Sequence, residues 1–310
     1  MEKHRAERNR TLTVSTEEYN TYLNTLLNSN DLSSFSLADI TNSLILGDFF
    51  SIVSKIPHHC VDLLIADPPY NLTKNYNGNK FNARSDETYK DFTRSWISKC
   101  LPLLKEDASI YVCCDWKSSS IIYDVLNEYA IVQNRITWQR EKGRGAKLNW
   151  KNSLEDIWFA TAGNTYLFNS DAVKQKKRVI APYKENGVPK DWEENVDGKF
   201  RLTYASNFWD DISIPFWSMS ENTDHPTQKP EKLLAKLILA SSKPGSLVFD
   251  PFSGSGSTLV TAKKLGRSFF GIEQNEEYCV WASKRLKKAE KDKTIQGYYD
   301  GVFWERNSHP

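Results

Sequence analysis

No two cysteines in this chain stand at C-x-x-C spacing. The five present are Cys60, Cys100, Cys113, Cys114 and Cys279. That excludes a zinc ribbon or a thioredoxin-type redox pair, and the odd count predicts reduced thiols in a cytoplasmic protein. Also missing is any apolar run of about 18 residues, so no membrane span is expected. The opening MEKHRAERNRTLTVS lacks the apolar core of a signal peptide. An excess of one charge is absent too. Lys and Arg number 41 against 39 Asp and Glu, a formal net charge of +2. A global field therefore cannot hold a polyanion, and any nucleic-acid surface must come from local clusters. No internal repeat or low-complexity tract interrupts the chain.

Aromatic residues are plentiful: 13% of the chain, with ten Trp. They predict a large core in which a few rings serve as stacking platforms. The 310 residues suffice for one large α/β domain with an insertion, or for two small domains. Residues 1–40 read as a helical extension, with Thr16 as a cap and Tyr19, Tyr22, Leu23, Leu26 and Leu27 on one stripe. The apolar runs SLIL, VDLLIA, ASIYVCC, SLVFD and SFFGIE predict buried strands, and IVQNRITWQ and DIWFATA two more. Helical patterns alternate with them, which argues for a mostly parallel sheet wrapped on both faces. Residues 163–222 break that rhythm and read as an irregular insertion between catalytic segments 41–162 and 223–295. Residues 296–310 form a tail, and the Lys-rich run at 284–293 reads as an ordinary exposed helix.

In such sheets ligands bind beyond the carboxyl ends of the strands. Three loops qualify. After Asp250 comes PFSGSGST and then a helix; Gly254 and Gly256 allow backbone to approach a ligand closely. Glu273 ends the next strand, 23 residues later, where a carboxylate can accept both hydroxyls of a ribose. The loop lacks Gly-Lys-Ser or Gly-Lys-Thr, and a third glycine, so neither a triphosphate nor a pyrophosphate is expected. An adenosine cofactor without phosphate fits. The second loop is Asp67-Pro68-Pro69-Tyr70. Two prolines fix φ and remove two N–H donors, leaving the Asp67 carboxylate and Pro68 carbonyl as acceptors, with Tyr70 as a flat face. That set suits an exocyclic amine on a stacked base. The third is Asp224-His225-Pro226-Thr227-Gln228-Lys229-Pro230, where Thr227 and Lys229 can bind a carboxylate. No ligand-spaced cluster predicts a metal site.

ADPPYN, HPTQKPE and DPFSGSGST, in that order, resemble the beta class of bacterial DNA amino-methyltransferases, over about residues 42–290. The resemblance implies a Rossmann-like α/β fold of the class I methyltransferase type with permuted motif order, and residues 163–222 as the target-recognition region. It implies S-adenosylmethionine held by Asp48, Ala66, Asp67, His225, Thr227, Lys229, Asp250, Pro251, Phe252, Gly254, Ser255, Gly256, Thr258 and Glu273. Asp67, Pro68, Pro69 and Tyr70 would hold the flipped base. The implied reaction is methylation of adenine N6 in double-stranded DNA, with N4 of cytosine, or an RNA or protein amide, as alternatives. Cytosine C5 chemistry is disfavoured because no Pro-Cys occurs. A cognate restriction endonuclease is a candidate partner, and a monomer or homodimer is expected. Basic clusters for phosphates are Lys74, Lys80 and Arg84; Lys142, Arg144 and Lys147; and Lys174, Lys176, Lys177 and Arg178. A noncatalytic adenosine-binding module is disfavoured by the intact Asp67 and Tyr70, and a nicotinamide dehydrogenase by the incomplete glycine fingerprint.

Asp67→Ala is expected to keep the fold and cofactor binding while abolishing methyl transfer. Incubating the purified variant with DNA and labelled S-adenosylmethionine checks this, and undiminished labelling would defeat the assignment.

Overall fold

The short apolar runs between polar loops become neighbouring strands, because each is buried on both faces and too short for a helix. The computed structural model describes residues 6–28, 33–76, 78–140, 148–179, 183–195 and 198–305. Its main sheet has nine strands. Their order is Leu27–Asn28, Ser43–Leu46, Ser268–Glu273, Leu247–Asp250, Val61–Ala66, Leu104–Cys114, Leu154–Thr161, Ile131–Gln139 and Phe208–Trp209. The first six pair in parallel, whereas Leu154–Thr161 runs against both neighbours.

Alternation along the strands sorts two cores. Leu64, Ala66, Ile110, Val112, Phe249 and Phe270 pack with Trp96, Ile97, Ile122 and Val125 from helices Asp86–Cys100 and Ser119–Tyr129. Leu63, Ile65, Tyr111, Cys113 and Val248 pack on the other face. Their partners are Leu233, Leu237, Leu259, Cys279 and Ala282 from helices Glu231–Ser241, Ser257–Lys264 and Glu276–Lys288. This is the two-faced, mostly parallel α/β sheet expected from the sequence. Among the described residues no helix is long and apolar enough to cross a membrane.

Several expectations are corrected. The first helix is Thr16–Leu23, and Ser15, not Thr16, caps it through a reciprocal pair with Glu18. The helix buries none of its residues, and Leu27 lies in an edge strand rather than on a helical stripe. It is tied to the last helix by polar contacts: Tyr19 donates to Glu276 at 2.6 Å, and Lys284 to Glu18 at 2.6 Å. The stretch 163–222 is not irregular throughout. Gln175–Arg178 is the middle strand of a second, five-stranded sheet, with Glu193–Asn195 and Gly198–Thr203 on one side. The other side is formed by Val302–Trp304 and Tyr298–Tyr299, so the C-terminal segment is a structural part of that sheet rather than a tail. Phe208–Trp209 also returns to the main sheet, and Trp209 and Ile212 are buried in the core on one of its faces.

A buried ion cluster locks this second sheet to the first. Asp211 meets Lys236 at 2.8 Å and Lys232 at 2.9 Å, and Lys232 also donates to the Trp304 carbonyl. Burial alone would raise the Asp211 carboxyl, but the two ammonium groups outweigh it and hold it below the ordinary range. Burial pushes Lys236 down to about 8, against the pull of Asp211. Removing Asp211 takes from two buried cations the carboxylate that both contact, so Asp211→Ala is expected to cost about 3–5 kcal/mol. Denaturant unfolding checks this; a loss below about 1 kcal/mol would show that water, not Asp211, balances the lysines.

Candidate active site

Parallel pairing sets Leu63 beside Val248 and Leu64 beside Phe249. The loops that leave these strands, at Asp67 and Asp250, therefore open side by side at the carboxyl edge. They line a single cleft together with the loop after Glu273 and the segment His225–Lys229.

On one wall, the tetrapeptide is stiff because Pro68 and Pro69 fix φ, and Tyr89 donates to the Pro69 carbonyl at 3.1 Å. Asp67 Oδ2 accepts from Lys229 Nζ at 2.7 Å. Asp67 Oδ1 is buried without a hydrogen-bond partner. The Tyr70 hydroxyl donates to Glu155 Oε2 at 3.2 Å and accepts from Lys229 at 3.0 Å. Arg140 takes the other Glu155 oxygen. Burial, then the carboxylates of Asp67 and Glu155, pushes the Tyr70 phenol well above its ordinary value, so it stays neutral.

On the other wall, Gly254 and Gly256 adopt φ of +51° and +75°. A Cβ at Gly254 would stand 2.9 Å from His225 Nε2, and one at Gly256 2.6 Å from Ala282 Cβ. Arg285 props the loop from behind. It donates to the Ser255 carbonyl at 2.7 Å and Ser257 Oγ at 3.0 Å, and pairs with Glu231 at 2.9 Å. Burial raises Asp250 to about 7, despite hydrogen bonds from Thr258 and the Phe252 amide. Burial also raises Glu273, which accepts the Gly254 and Asn275 amides at 2.8 Å each. His225 is driven down to about 3 by burial and by Lys229, so its ring is neutral, and Nδ1 accepts the Thr227 amide.

Most residues singled out from the sequence meet in this cleft: Asp48, Asp67 to Tyr70, Arg84, His225, Thr227, Lys229, Asp250, Pro251, Phe252, Gly254, Ser255, Thr258 and Glu273. Asp48 also caps a short helix by accepting the Ser51 amide at 3.1 Å. Two do not line it. Ala66 turns into the core on the opposite face, because strand alternation gives the cleft to Ile65. Gly256 faces Ala282 and starts a helix. The Lys229 ammonium is engaged by Asp67 and Glu155 on the tetrapeptide wall. Of the basic clusters, Lys142, Arg144 and Lys147 lie outside the described residues, as does the Lys80 side chain. Lys74 is half-buried near Lys229 and Arg140. Lys174 pairs with Asp171, and Lys176 lies over Trp304, within the second sheet together with Lys177 and Arg178.

The segments WQREKGRGAKLNW and EDIWFA, which resemble the family's motif region beside the flipped base, contain Arg140 and Glu155, whereas sequence reasoning missed Glu231 and Arg285. Arg285 sits in the run read as exposed, yet it is only 4% exposed. Its spacing from Tyr278 and Ala282, i+7 and i+3, put it on the apolar stripe of that helix.

A stiff Asp-Pro-Pro-Tyr turn and a glycine loop in one cleft, at the carboxyl edge of a Rossmann-like sheet, are features of the class I methyltransferase fold. The match to the family model described as DNA methylase, N6_N4_Mtase, covers residues 61–285, and the chain belongs to that family. It is 34% identical to the DNA adenine methyltransferase YhdJ of Escherichia coli, over 80% of this chain and 83% of that one. It is 32% identical to the type II methyltransferase M.HpaI of Haemophilus parainfluenzae, over 78% and 73%. Among solved structures, the M1.HpyAVI–SAM complex aligns with a TM-score of 0.55 at 25% identity, covering 78% of this chain and 98% of that one. The cytosine-N4-specific PvuII DNA methyltransferase shares the fold at a TM-score of 0.59 and 15% identity, covering 80% and 89%.

Gly254→Ala forces a side chain into positive φ and against His225. Backbone strain of about 1–3 kcal/mol is expected, weakening S-adenosylmethionine binding about tenfold or more. Calorimetric titration checks this, and unchanged affinity would remove the loop from the cofactor wall.

Proposed function

We propose that this DNA methyltransferase acts on the N6 amine of adenine in double-stranded DNA. S-Adenosylmethionine is the methyl donor; its sulfonium makes the methyl carbon electrophilic. The observation that carries the reading is Asp67 Oδ1, a buried acceptor without a partner, in the cleft that the glycine loop also walls. An isolated buried acceptor is costly unless a ligand completes it, and an exocyclic N–H does so. Asp67 Oδ1 and the Pro68 carbonyl accept the two amine hydrogens and favour a more nucleophilic nitrogen, while Tyr70 stacks on the base. The cofactor would be held by Asp250 to Ser255, Thr258, Glu273 and Thr227. Holding both reactants in one cleft supplies much of the rate, because the methyl carbon needs no further activation. The base must first leave the duplex, at a cost of a few kcal/mol.

Adenine is favoured by the leading Asp of the tetrapeptide and by the relative named as an adenine methyltransferase. Arg84, which lines the cleft, and the basic segment 142–147 are our candidates for phosphate contact. The setting we infer is a type II modification system with a cognate endonuclease.

Nucleoside analysis of DNA from cells expressing the chain, in a host without adenine methylation, is expected to show N6-methyladenine. N4-methylcytosine in its place would reassign the base. Tyr70→Ala is expected to lower kcat/KM for DNA about 10- to 100-fold through lost stacking while leaving cofactor affinity unchanged. Steady-state kinetics beside cofactor titration separate the two.

A further inference from the structure

Lys229 is 7% exposed, and it sits among carboxylates. Its Nζ lies 2.7 Å from Asp67 Oδ2, 3.4 Å from Glu155 Oε2 and 3.0 Å from the Tyr70 hydroxyl, and 5.3 Å from the centre of the Tyr70 ring. Glu155 is itself buried, with Arg140 on its other oxygen. Asp67 and Glu155 thus meet Lys229 and Arg140 behind the tetrapeptide, with the half-buried Lys74 close by. An incoming carboxylate at Lys229 would have to compete for an ammonium whose contacts are already Asp67, Glu155 and the Tyr70 hydroxyl, with two carboxylates beside it.

The torsion that turns a carboxylate about its own bond is soft. Held by nothing, Asp67 would present either oxygen or neither. A cation on Oδ2 fixes the carboxylate plane and leaves Oδ1 as the unpartnered atom that is observed. The same cation hydrogen-bonds the Tyr70 hydroxyl, which passes its own proton bond to Glu155. One ammonium therefore sets both the acceptor atom and the ring face.

We propose that Lys229 is a positioning residue for the methyl-accepting amine and not a ligand of the cofactor carboxylate, with Glu155 as its counter-anchor. This rests on the functional reading of the cleft. Its chemistry applies to any planar amine presented by a flipped base: the clamp pre-sets the geometry, so its loss falls on the catalysed step and not on cofactor binding.

The test compares Lys229→Met, Lys229→Arg and the double variant Lys229→Met with Glu155→Gln, all in the full chain. Affinity for S-adenosylmethionine and S-adenosylhomocysteine is measured by calorimetry, and kcat and KM by methylation of a duplex substrate. Lys229→Met is expected to bind both ligands within about twofold of wild type and to lose about 100-fold or more in kcat. Lys229→Arg should recover part of that loss, because a guanidinium still reaches both carboxylates. The double variant removes a charge of each sign, so its thermal transition should return toward wild type while kcat stays low. Cofactor affinity falling tenfold, with kcat at saturating cofactor near wild type, would place Lys229 on the cofactor and overturn the proposal. So would wild-type kcat in Lys229→Met. A wild-type protein that binds S-adenosylmethionine but methylates no base in any duplex would instead remove the parent reading.

Discussion

The site depends on one constraint, the parallel pairing of Val61–Ala66 with Leu247–Asp250. Neighbouring strands lie about 5 Å apart, so loops leaving adjacent carboxyl ends must share a cleft. Asp67 and Asp250 are far apart in the chain, yet this register makes them opposite walls. Were these strands separated in the sheet, the two loops would open on separate parts of the edge. Burial on both faces makes the pairing firm. Leu63 and Val248 sit in one core, and Leu64 and Phe249 in the other, so a one-residue slip would turn each to the wrong side.

The two walls are then joined by a single strut, the segment that leads into helix Glu231–Ser241. Its residues face both ways. His225 packs against Gly254 and the Tyr278 ring, and Glu231 anchors Arg285 behind the glycine loop. Between them Lys229 reaches to Asp67 and Glu155. Gln228 fixes the strut itself, accepting from Thr223 at 2.6 Å and donating to the Glu221 carbonyl at 2.7 Å. Buried ion pairs of this kind add little net stability over well-packed apolar groups, because desolvation offsets their attraction. What they supply here is geometry: each charge has one arrangement that satisfies it, and a loosened loop on either wall would strand a charge.

Much of this was legible in the residues. Apolar runs closed by Asp or Glu gave strands and their carboxyl-edge loops, and the proline pair and glycines marked the two walls. Position within an alternation was harder to read. Ala66 and Gly256 belong to the right motifs but point away, because the period of the strand and the start of the helix assign the cleft to their neighbours. The pairing of Lys229 with Glu155 was not legible. Glu155 is the second residue of an antiparallel strand that sits two places from Val61–Ala66, and nothing local ties it to a lysine beyond the insertion. The second sheet was hidden for a similar reason. Its central strand pairs with the C-terminal segment, and its rings are covered by lysine stems, as with Lys176 over Trp304 and Phe200, so no apolar period survives.

The charge balance of the two walls differs, and the difference suits transfer of a cationic methyl group. Behind the tetrapeptide, Lys229 and Arg140 pair with Asp67 and Glu155, and Lys74 is close by. On the glycine side Asp250 and Glu273 are buried carboxyls raised by desolvation, and His225 between the walls is held neutral. On the reading we propose, methyl transfer moves positive charge from the glycine wall to an amine on the tetrapeptide wall. The wall that receives it holds an acceptor, Asp67 Oδ1, already stripped of water and fixed in place. A preorganised acceptor costs no reorganisation when charge develops against it, which is where electrostatic stabilisation is strongest. The lysine on Oδ2 therefore does two opposed things. It keeps a buried carboxylate tolerable before the reaction, and by occupying one oxygen only it leaves the other free to meet the charge that the reaction brings.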